Sequence, residues 1–139
     1  MKLQESIEKA IFLQIPWPPS VNHMYNWGKN GVYLNSKARN WYVDAKTRIF
    51  CQIYDQQIKN LPVNEIVQLD IKAYPPDKRC RDEGNLRKAI DDVLVKSGVL
   101  KDDILIKKII SEVYLFDKMT KNRGIEIKIS GFIQSLGNI

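Results

Sequence analysis

The sequence predicts an α/β fold, a two-layer sandwich in which two main helices cover a mixed sheet of four to five strands. Three observations carry this. Two segments place apolar residues at helical spacing, four others alternate or run apolar at strand length, and the order is β, loop, α, β, α, β, β. At 139 residues and 44% hydrophobic content, the chain suits one domain spanning 1–139 around a single core.

Residues 10–15 (AIFLQI) read as the first strand, stopped by PWPP, whose three prolines forbid regular pairing. The stretch VNHMYNWGKNGVYLN follows as an aromatic loop or hairpin, with GVYLN a short strand after the KNG turn. Ser36 reads as the N-cap of a long helix running to about Asn60, because Ala38, Trp41, Tyr42, Ala45, Ile49 and Ile53 recur on one helical face. Pro62 closes the connection. Residues 66–74 alternate, with Val67, Leu69, Ile71 and Ala73 on the face expected inward. A second helix of about four turns is marked by Leu86, Ala89, Ile90, Val93 and Leu94, and Gly98 suits its left-handed cap. Residues 107–116 read as a strand buried on both faces. The charged turn DKMTKNRG leads to a last alternating strand, IEIKISGFI, with Ile125, Ile127 and Ile129 inward. A turn this short predicts that the last two strands pair antiparallel.

Lys and Arg outnumber Asp and Glu by 22 to 16, which favours a polyanionic partner. Two cysteines, Cys51 and Cys80, form no CxxC pair and read as thiols of a reducing, cytoplasmic compartment. The start lacks the apolar core of a secretion signal, and no segment is apolar and long enough to span a membrane. A single histidine, His23, argues against a His-rich zinc site or a Ser-His-Asp triad. Chemistry therefore falls to carboxylates, lysines or a bound ion.

The densest chemistry lies in PPDKRCRDEGNLRKAIDDVLVKSGVLKDD, residues 75–103. Lys78, Arg79 and Arg81 form a basic loop, Asp82 and Glu83 stand where it meets the second helix, and Asp102 and Asp103 close the segment. Bases beside clustered carboxylates suit a phosphodiester-cutting site, the bases holding the nucleic-acid backbone and the carboxylates holding Mg²⁺ or Mn²⁺. Each residue also has a plainer role. Asp82 stands at an N-cap, worth about 1 kcal/mol of helix stability. Asp102 and Asp103 suit a solvated loop, and Lys88 can pair with Asp92 four residues on. The aromatics Trp17, Tyr25, Trp27 and Tyr33, interleaved with Asn22, Asn26, Lys29 and Asn30, suit either stacking on splayed bases or packing beneath their loop. Base stacking there supports a third reading, a single-strand or RNA-binding module.

Two segments together, PWPPSVNHMY and RCRDEGNLRKAIDDVLVKSGVLKDD, resemble the RusA family of Holliday junction resolvases, small enzymes commonly carried by prophages. The resemblance spans about residues 10–130. The family pattern R-D-x-D-N-L-x-K, with an acidic doublet about twenty residues further on, places Asp82 on the first acid, Asn85 and Leu86 on N-L, Lys88 on the essential lysine and Asp103 on the last catalytic acid. It implies Mg²⁺- or Mn²⁺-dependent cutting of four-way junction DNA by a homodimer, through paired symmetric nicks, in recombination and repair. Asp82, Lys88 and Asp103 would be catalytic, and Asp82, Asp103 and Glu83 would hold the metal. Lys78, Arg79, Arg81, Asn85 and Asn22 would contact DNA. One position departs: Gly84 stands where the family has its second acid and offers no ligand. The alternative it raises is a catalytically impaired junction-binding protein.

Overall fold

The computed structural model describes residues 9–19, 25–29, 31–78, 83–119 and 124–132, with only the backbone at 25–27, 33, 34 and 83–85. Strand β1 (Ile11–Ile15) leads to a hairpin, β2 (Tyr25–Gly28) and β3 (Gly31–Leu34). Helix α1 (Ser36–Asp55), strand β4 (Val67–Tyr74), helix α2 (Glu83–Lys96), a 3₁₀ turn (Asp103–Leu105), strand β5 (Ile106–Val113) and strand β6 (Gly124–Gly131) follow. The main sheet has four strands in the order β1-β6-β4-β5, and the hairpin forms a separate two-stranded sheet. The α/β two-layer expectation therefore holds, with the mixed sheet at the lower end of its expected strand number.

Alternation decides which face of the sheet is covered. Ile11, Leu13 and Ile15 of β1, Val67, Leu69, Ile71 and Ala73 of β4, and Ile125, Ile127 and Ile129 of β6 are all buried. They form one core with Ala38, Trp41, Tyr42, Ala45 and Ile49 of α1 and Leu86, Ala89, Ile90, Val93 and Leu94 of α2. Each fully buried Leu, Ile or Val contributes about 1.5–3 kcal/mol. The intervening residues, among them Phe12, Lys72 and Lys128, face solvent on the other side.

Two strand expectations are corrected. The last two strands do not pair with each other. β4 joins β5 through α2, a crossover that makes them parallel neighbours, whereas β6 inserts antiparallel between β1 and β4. The sheet is mixed for that reason. Nor is β5 buried on both faces. It is the edge strand, largely exposed, with only Ile106 and Ile109 packed partly against the core. Its run KKIISEV looks apolar enough for a central strand, but that place is filled by β6, whose alternation is stricter.

The helix ends are set by their caps. Asn35, not Ser36, caps α1: its backbone is extended, and its Oδ1 accepts the Ala38 amide at 2.9 Å. The helix stops at Asp55, short of Asn60, because Gln57 turns left-handed at φ 57°. The Gln57 amide then donates to the Tyr54 carbonyl and the Ile58 amide to the Ile53 carbonyl, a Schellman arrangement without glycine. The same pair of bonds ends α2 in its expected form. Gly98 sits at φ 80°, its amide donates to the Val95 carbonyl, and the Val99 amide donates to the Leu94 carbonyl. Pro62, preceded by a cis bond, leads into Val63, which bridges to Leu100 and so ties down the chain just ahead of Asp102.

Candidate active site

Helix α2 and the 3₁₀ turn after it carry the described part of the site. The turn is held from within: Asp102 caps it, with Oδ1 accepting the Ile104 amide at 3.0 Å. That amide, followed by contact with Asp103, holds the Asp102 carboxyl below the usual carboxylate range. Asp102 is therefore the structural member of the doublet. Asp103 heads the turn, exposed, and is left to act outward.

Asp103 bears electrostatically on Asp91, a residue that neither the motif nor the Lys88–Asp92 spacing singles out. Asp91 points inward from α2, with a side chain only 15% exposed. Arg87, one turn earlier, lies at 3.6 Å from Oδ2, an ion pair too long for a good hydrogen bond. Oδ1 is buried with no hydrogen-bond partner among the described residues. Burial, with Asp103 and Asp92 adding repulsion and Arg87 only partly offsetting them, pushes the Asp91 carboxyl up to about 6. An orphaned buried carboxylate oxygen costs about 1–3 kcal/mol or more unless something positive meets it. Hard oxygen donors of this kind suit Mg²⁺ or Mn²⁺, so these residues fit the ion that the sequence motif implies. Among the described residues no group of three carboxylates stands together, so further ligands would have to come from the helix start.

Lys88 is exposed on α2. Helical periodicity places positions 84, 88 and 91 on one flank, so Lys88 lies between Gly84 and Asp91. The expected Lys88–Asp92 pair does not form; among the described residues the ion pair of this helix is Arg87–Asp91. That leaves the Lys88 ammonium available to an anion approaching the flank. Spacing from Gly84 along this flank is the signal that would have found Asp91.

The remaining candidates divide by position. Lys78 is exposed in the bend after β4. Glu83, Gly84 and Asn85 form the first turn of α2, where backbone amides and the helix dipole favour anions. Glu83 begins the helix eight residues before Asp91, about 12 Å along its axis. Asn22, Arg79, Cys80, Arg81 and Asp82 lie outside the described residues. In the aromatic group, Trp17 packs partly against the core, which favours the packing role there. Cys51 is an exposed thiol. No described helix is long and apolar enough to cross a membrane.

Comparison with known proteins covers the same elements. The chain is 29% identical to crossover junction endodeoxyribonuclease RusA of Shigella sonnei over 126 residues, 91% of this chain and 95% of that protein. The proteins of the same description from Escherichia coli K12 and Enterobacteria phage 82 are each 28% identical over equal shares. The match to the endodeoxyribonuclease RusA family runs over residues 16–130, from the first prolines through both helices to the end of β6, and by it this chain belongs to the RusA family of endodeoxyribonucleases.

Proposed function

We propose that this chain is a structure-specific endodeoxyribonuclease that resolves four-way DNA junctions by paired nicks, needs Mg²⁺ or Mn²⁺, and acts as a homodimer. The observation that carries it is the buried Asp91 carboxylate, with its orphaned oxygen, on the helix that bears Lys88 within the family motif, under the charge of Asp103 on the turn that follows. The chemistry asks for two sites related by a two-fold axis, because symmetric nicks fall on opposed strands, and a homodimer supplies that relation.

Asp82 and Asp103 would hold the ion, and Asp91 would take the third place that Gly84 leaves vacant, ahead of Glu83. When bound, the ion neutralises phosphate charge and eases attack by water at phosphorus. Lys88 donates to the non-bridging oxygens as charge builds on them, a contribution worth about 10²–10³ in rate. A bond from the water oxygen to phosphorus forms as the water gives up a proton to solvent, the bond to the leaving oxygen breaks, and that oxygen takes up a proton from solvent. Lys78, Arg79 and Arg81 position the backbone on either side, with Asn85 and Asn22 as neutral donors.

Gly84 favours a second reading, a junction binder with impaired cutting. Cleavage of a synthetic four-way junction by Asp103→Asn, Asp91→Asn, Glu83→Gln and Gly84→Asp separates the accounts. Asp103→Asn should abolish cutting and spare binding. Asp91→Asn should follow it and Glu83→Gln should not. An unaltered chain that binds junctions without cutting in either metal, and gains cutting through Gly84→Asp, establishes the second reading.

A further inference from the structure

The two edges of the main sheet are treated differently. On β1, Gln52 of α1 and Gln56, which caps that helix, act as a surrogate strand. Gln56 accepts the Phe12 amide at 2.9 Å through Oε1 and donates through Nε2 to the Phe12 carbonyl at 2.6 Å. Gln52 does the same for Gln14, at 2.6 Å and 2.8 Å. That edge is closed to pairing. The opposite edge, β5, has no such cover among the described residues.

We infer that β5 is the seam of a homodimer, pairing antiparallel with β5 of a second copy about a two-fold axis at Ile110. The inference goes beyond the proposed function, which needs two copies but not this edge. Hydrogen-bond direction supports it first. The Tyr114 amide donates to the Ala73 carbonyl on β4 at 2.9 Å. Alternation then turns the amides and carbonyls of Ile109, Ser111 and Val113 outward, the set that an antiparallel partner would meet.

Side chains give the register. With the axis at Ile110, Lys108 faces Glu112 of the second copy, Ile110 faces itself, and Lys107 faces Val113. The strand carries its cations in one half (Lys107, Lys108) and its anion in the other (Glu112), so it complements its own reverse. A parallel partner would set Lys against Lys, which is the usual way an edge repels strangers. Glu112 is further steadied by the Tyr114 hydroxyl, which donates to Oε2 at 2.6 Å, while the Tyr114 ring stacks on Tyr74 with centroids 4.8 Å apart. Apolar surface is exposed along the same edge: Ile110 at 44%, Val113 at 39% and Leu115 at 94%. Such pairing makes one continuous sheet of eight strands with both helix layers on the same face. The two Asp91–Asp103 sites then share that face on opposite sides of the axis.

Sedimentation of the full chain without DNA or metal tests the seam apart from any activity. The unaltered chain should sediment as a dimer. Lys108→Glu and Glu112→Lys should each raise the dissociation constant by about tenfold or more, and the double exchange should restore it to within roughly threefold. Ser111→Pro should give a folded monomer, since proline is tolerated where an edge amide points outward. If that variant fails to fold, the charge exchange alone decides. A dimer unmoved by both charge reversals overturns this seam and leaves paired nicking intact. A monomeric unaltered chain overturns the seam and the homodimer together.

Discussion

Asp91 is largely shielded from water, feels the charge of Asp103, and keeps one oxygen without a partner among the described residues. Its proton leaves at about pH 6 in the folded chain, against 3.8 for an ordinary carboxyl. Because the folded value is raised, the neutral form supports the fold at low pH. That support falls as pH rises from about 4 and is gone above about 6. Thermal melts with chelator at pH 5 and 7.5 should therefore show a pH-dependent loss in the unaltered chain that Asp91→Asn lacks. Adding Mg²⁺ at pH 7.5 should recover stability in the unaltered chain and not in Asp91→Asn. Equal recovery in both would mean that Asp91 holds no ion. Lys88→Ala should lower the cleavage rate by about 10²–10³ while leaving junction affinity nearly unchanged.

At the scale of elements, the two Schellman ends make a controlled comparison. Gly98 adopts its left-handed backbone without penalty, whereas Gln57 does so with a β-carbon, at a cost of about 1 kcal/mol. Gln57→Gly should raise stability by roughly that amount in denaturant titration, and a loss of stability would contradict the capping geometry. The pair also explains what could be read in advance. Helical and strand periodicity located α1, α2, β1, β4 and β6 because each buries one face and so writes its period in apolar residues. Gly98 was legible because glycine signals a left-handed turn, and Gln57 was not because glutamine signals nothing. β5 misled for a related reason: an edge that exposes Ile110 and Val113 has the composition of a buried strand. Of the proposed site, Lys88 and Asp103 are legible through the motif. Asp91 was hidden, since adjacent Asp91 and Asp92 look alike until the helix is docked and one is turned inward.

The whole molecule is positively charged, net +6, and Asp91, Asp92 and Asp103 stand together against that background beside one helix. Affinity for DNA should then be electrostatic and chemistry local, and the two should separate on mutation. Replacing Lys78, Arg79 and Arg81 together by Ala should weaken junction binding and lower the slope of log affinity against log salt by about three, roughly one for each lost phosphate contact. Asp103→Asn should leave that slope unaltered. Equal loss of binding in both variants would make the acids structural.

The most direct measurement maps strand breaks in an end-labelled synthetic four-way junction incubated with the unaltered chain, with chelator or with Mg²⁺ or Mn²⁺. The account predicts no breaks with chelator. With metal it predicts nicks at matching positions on two opposed strands, lost in Asp103→Asn and in Asp91→Asn. Cutting that persists with chelator, or breaks unpaired across the junction, or full activity in both variants, would contradict it.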